Sequence, residues 1–234
     1  MAADYLERGA LAGVGGGIVY GLFVATVGNS FTTGLESFES GHSHGGGLPE
    51  LTTAAASVGG GVLWGLLFGV AVFGMGYYLL EPALPADGAG KRLSLAAAGF
   101  LVVSGAPWLV LPPQPPGVEQ ALPTETRLLW YGGMMVAGAL VVGLSWLAYR
   151  RTADRKTPVT VAAALVPLGL FALPVALAPA NLVAGEVPAA LATAYRWTVV
   201  FGQLLLWTTV AAVHTWLGDP AIDDDAVDYA ATAD

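Results

Sequence analysis

The chain has no cysteine. Disulfides, thiolate metal sites, iron–sulfur ligation and haem attachment through CxxCH are therefore excluded. Charge is scarce too. Only 11% of the 234 residues are Asp, Glu, Lys or Arg, against about 25% in an ordinary soluble domain. Lysine occurs only as Lys91 and Lys156. The net charge is −8, so the basic footprint of a nucleic-acid binder is absent. Catalytic motifs are missing as well. There is no P-loop and no HExxH, so neither ATP hydrolysis by that route nor an enzyme activity is expected.

What is present is apolar sequence, 55% of the chain. A bilayer core needs about 20 apolar residues per helix. Six stretches qualify, at about 9–28, 53–80, 93–111, 128–149, 158–178 and 194–217. The expected fold is an all-α, polytopic transmembrane helical bundle over 1–217. It has six spans, or five if the fifth, interrupted by Pro167 and Pro174, is dropped. No span carries an acidic residue in its interior. Residues 218–234, "GDPAIDDDAVDYAATAD", form an acidic tail that is expected to be solvated and disordered. Acid excess with scarce lysine is a composition that suits a high-salt organism.

Basic residues set the orientation. Arg8, Lys91, Arg92, Arg150, Arg151, Arg155 and Lys156 fall on one side of a six-span arrangement, and Arg127 and Arg196 on the other. Both termini are therefore expected in the cytoplasm of a plasma membrane. The segment before the first span is acidic, so that span reads as a retained anchor rather than a cleaved signal. The loop after it, 29–52, faces outward and holds "SGHSHGGGLPE". His42 and His44 supply two imidazole nitrogens. Glu36, Glu39 and Glu50 add oxygen donors, and glycine lets the chain fold round an ion. Such donors suit Co, Ni, Zn and Cu alike. A glycine-rich loop suits loose capture and release, with no permanently bound cofactor.

Two further patterns stand out. "VGGGIVYGL" from Val14 and "VGGGVLWGL" from Val58 share VGGGxxxGL. Gly13, Gly17 and Gly21, like Gly61, Gly65 and Gly69, recur every four residues, which lets helix backbones approach in lipid. The alternative is that these glycine faces line a permeation path. On the sixth span Arg196, Gln203 and His214 share one face. They form either a polar stripe along a transport path or two end anchors with a lone hydrogen-bonder between them.

The chain resembles the CbtA family, predicted cobalt transporter subunits. A short N-terminus leads into a Gly/Ala-rich first span. A polar loop follows with Glu36, Glu39, His42 and His44, and then a Gly/Ala-rich second span. The third span ends in "PWLVLPPQPPGVEQALPTETRLLWYGG". These features cover about 9–145. The resemblance implies divalent metal uptake, with Co2+ as cargo, in connection with cobalamin synthesis. It also implies a small single-span partner, CbtB. A membrane scaffold or metal-sensing subunit that transports nothing is the competing expectation.

Overall fold

A computed structural model describes residues 2–36, 50–85, 88–116, 118–185 and 187–218. Six helical passages make up most of these. α1 covers 2–36, as Ala2–Phe23, a π-helical Val24–Gly28 and Asn29–Glu36. α2 covers 50–80, as Glu50–Phe68, a π-helical Gly69–Gly76 and Tyr77–Leu80. α3 covers 89–108, again with a π-helical stretch at Leu101–Gly105. α4 is Thr124–Arg151, α5 covers 157–177, and α6 is Ala189–Leu217.

Five of the six are long and apolar enough to cross a membrane: Ala2–Thr32, Leu51–Leu80, Thr124–Arg151, Thr157–Leu177 and Ala189–Leu217. α3 is the exception. Lys91 and Arg92 lie in its first turn, so its uncharged part is only 93–108, short of the about 20 residues of a full span. It stops at Trp108 rather than continuing to Leu111, just before Pro112 and Pro113. α5 keeps its helical course through both prolines by tightening into a 3-10 stretch at Val166–Phe171. That stretch places Pro167 near a helical start, where a missing N–H costs least.

The chain forms two compact units. The first holds 2–30, 50–96 and 200–218 of the described residues. Its centre is the antiparallel contact of α1 and α2. Gly9, Gly13, Gly17 and Gly21 lie against Gly61, Gly65, Gly69 and Val58. A Cβ on Gly13 would overlap the Gly65 carbonyl oxygen, and one on Gly61 would lie 2.6 Å from the Gly17 oxygen. Only glycine permits this approach, and the gain is dispersion between two backbones. In this conformation the seam has no room for an ion. The second half of α6 packs on α1, where Gly16 accommodates Val210. Trp207 is buried beside Phe68, edge-on at 4.5 Å, and Phe73 at 6.3 Å.

The second unit holds 31–36 and 97–199 of the described residues. Its core is Ala106, Met134, Val141 and Phe171. Gly138 brings α4 against α3, with Val102 Cα 3.1 Å from where a Cβ would stand. An α-helical ladder would serve the Val103 carbonyl from the N–H of residue 107, which is proline. The Tyr131 hydroxyl donates to that carbonyl instead, at 2.6 Å. Tyr131→Phe should therefore lower stability by about 1 kcal/mol, as interhelical hydrogen bonds in membranes do. Detergent-micelle unfolding in SDS measures this. An unchanged midpoint would mean the carbonyl finds another donor. Glu119–Gln120 (β1) pairs antiparallel with Val183–Ala184 (β2), Glu119 opposite Ala184. The Asn181 side chain braces this ribbon, donating to Gln120 Oε1 at 2.9 Å and accepting from the Leu122 N–H at 3.2 Å.

Candidate functional site

The donors expected to meet a metal fall at the α1–α2 connection. Glu36 closes α1 and Glu50 opens α2. Glu39, His42 and His44 lie outside the described residues. Among the described residues no group of three or more His, Asp or Glu side chains stands ready for a metal.

The three polar residues of α6 make separate attachments. Arg196, near the start of the helix, donates from Nη2 to Gln114 Oε1 at 2.9 Å and from Nε to the Pro113 carbonyl at 3.3 Å. It thereby fastens the proline-rich connection, and it lines a cavity of about 230 Å3 with Gln114, Val118, Val183 and Thr193. Gln203 is half-buried. His214 is 1% exposed, and its Nδ1 accepts from Arg92 Nε at 3.1 Å. An arginine N–H only donates, so Nδ1 carries the lone pair, and the proton of a neutral ring sits on Nε2. Nε2 is buried without a hydrogen bond. The Phe73 carbonyl faces the ring but does not reach hydrogen-bond geometry. With Nδ1 engaged by Arg92, the ring has no free lone pair to offer a metal.

Around His214 lies a cluster that sequence reasoning missed. It is built from the ends of four helices of the first unit. The start of α1 brings Asp4, Tyr5 and Arg8, and the end of α2 brings Tyr77 and Glu81. The start of α3 brings Lys91 and Arg92, and the end of α6 brings His214. Tyr5 donates to Glu81 Oε2 at 2.5 Å, and Tyr77 reaches Oε1 at 3.5 Å. Lys91 stands 3.9 Å from the same carboxylate. The Arg92 guanidinium lies 5.4 Å from the Tyr77 ring centre, and that ring meets His214 edge-on at 5.1 Å. All of these but Lys91 line a cavity of about 200 Å3. The signal available in the sequence was the clustering of basic and aromatic residues at span ends of one side. There Arg8, Lys91 and Arg92 served only as orientation markers.

The sequence profile of one family, described as a probable cobalt transporter subunit (CbtA), matches residues 2–219. The chain belongs to the CbtA family. The match takes in all six helices, both polar cavities and the histidine segment. No curated protein matches, and no solved structure does. As a CbtA chain it is an all-helical membrane protein of a cobalt transporter family.

Proposed function

We propose that this CbtA chain is the multi-pass subunit of a plasma-membrane cobalt uptake system, with both termini cytoplasmic, an arrangement that needs the shorter α3 to cross as well. His42 and His44, assisted by Glu36, Glu39 and Glu50, capture the ion outside. The observation that carries this reading is the family match over 2–219, combined with an HxH segment joining two helices that pack backbone to backbone. The donors suit a borderline divalent ion. A route between α1 and α2 would require the glycine seam to part, because a side chain as small as alanine already overlaps there. Movement along the α6 face of Arg196, Gln203 and His214 would require those anchors to release. A single-span, histidine-bearing CbtB-like protein is the expected partner, and the cargo is expected to serve cobalamin synthesis.

A second reading, a scaffold or metal-sensing subunit, draws support from the closed seam. Cellular cobalt accumulation separates the two. The chain should raise accumulation severalfold over cells lacking it. His42→Ala combined with His44→Ala should return it to the level without the chain. Equal accumulation in all three would end the transport reading. A double variant matching wild type would leave transport standing and remove the capture role from the loop.

A further inference from the structure

Arg92 is held in place yet has donors to spare. Its Nε is committed to His214, and its guanidinium lies over Tyr77. Its terminal NH2 groups have no hydrogen-bond partner among the described residues. Arg8 reaches the same place. A Cβ on Gly218 would lie 2.5 Å from Arg92 Nη2 and 3.4 Å from Arg8 Nη1, so the two guanidiniums converge at the end of α6. We propose that the cavity bounded by Asp4, Tyr5, Arg8, Tyr77, Glu81, Arg92 and His214 binds a phosphate-type oxyanion, gripped by the Arg92 fork with Arg8 beside it.

The chemistry favours an anion over a cation. A guanidinium presents parallel N–H groups at the spacing of two phosphate oxygens. Here the fork is oriented before any ligand arrives, which cuts the ordering cost of binding. The nearby carboxylate of Glu81 takes its partners from Tyr5, Tyr77 and Lys91, and Asp4 sits one turn from Arg8 on α1. The imidazole lone pair is consumed by Arg92, so a metal finds no nitrogen here. Every residue of the site lies within about two turns of a helix end. On a spanning bundle that is the depth of lipid phosphates. A phospholipid headgroup and free phosphate share the required chemistry. The proposal stands apart from the cobalt reading, since it uses none of the loop donors.

The test uses the purified full chain in neutral detergent. Inorganic phosphate and dihexanoyl phosphatidylglycerol are titrated at matched ionic strength, and binding is followed by calorimetry. Wild type should bind at least one probe saturably. Arg92→Gln should weaken that binding about tenfold or more, the scale of one lost charge-assisted pair. Arg92→Lys should weaken it less, and Arg150→Gln, outside the cavity, should not change it. Arg8→Gln leaves the Arg92–His214 bond intact and should still weaken binding severalfold, which covers a failure of the Arg92 variants to fold. Binding of the lipid alone assigns the site to a headgroup, and binding of both probes assigns it to phosphate in general. No saturable binding, or binding unchanged in Arg92→Gln or Arg8→Gln, overturns the proposal.

Discussion

Gly13→Val, or Gly65→Val on the facing helix, is expected to separate α1 from α2 and to abolish the folded state. The reason is the absence of any compliant neighbour. The atoms a new Cβ would meet are the backbone carbonyl and Cα of the opposite helix, which cannot rotate aside as a side-chain tip can. Overpacking in a core that can adjust costs about 1–3 kcal/mol. Here the whole helix must retreat, and the close contacts along the seam are lost together, so the cost should exceed that range. Lipid supplies no hydrophobic force to push the helices back together. Gly59→Val and Gly60→Val are the matched controls. They lie on the same helix as Gly65, beside Gly61 of the seam, but a Cβ there meets nothing within 4 Å. Size-exclusion profiles and yield in detergent read the outcome. Equal behaviour of the Gly13 and Gly59 variants would show that the seam does not hold the fold.

Trp207→Ala should be the next most damaging change. Trp207 is 2% exposed and joins the π-helical end of α2 to α6 through Phe68 and Phe73. In a membrane the transfer part of a large-to-small change is largely missing, because the unpacked side chain would rest in lipid. What remains is the cavity and the lost edge-to-face contact. Together these are worth about 3 kcal/mol. An SDS-unfolding midpoint reads the loss, and Trp207→Phe should recover part of it. A midpoint within error of wild type would mean that lipid chains fill the gap.

The helical bundle was legible because lipid imposes a simple rule on sequence. Every backbone group must be paired within a helix, so long uncharged runs announce the spans. The four-residue glycine pattern was legible as a pattern, though two outcomes fitted it. Overlap between a glycine Cβ and the opposing backbone is a three-dimensional fact that periodicity alone does not contain. α3 was harder. Lys91 and Arg92 look like flanking loop residues, yet the helix begins at Ala89 and carries both. The charge pattern therefore misplaced the helix start.

The His214 cluster was beyond sequence reasoning for a different reason. Asp4, the Glu81–Arg92 region and His214 are far apart along the chain and become neighbours only when four helix ends meet. His214 was visible as a polar residue in an apolar span, but its partner was not. The helical face it shares with Arg196 suggested a stripe, whereas Arg196 instead turns to Pro113 and Gln114. The irregular stretches at Leu101–Gly105 and Val166–Phe171 have Pro107 just after the first and Pro167 within the second. The π-helical stretch at Gly69–Gly76 has no proline to announce it.

The glycine seam looks nearly the same after a shift of one helical turn, since a four-residue step sets glycine against glycine again along most of its length. Such a surface acts like a smooth rail: it brings two helices together without saying where along each other they should stop. That choice falls to polar pairs at its two ends, Tyr5 with Glu81 at one and Asn29 with Ser57 at the other. The seven glycines supply attraction, and these four side chains supply the address.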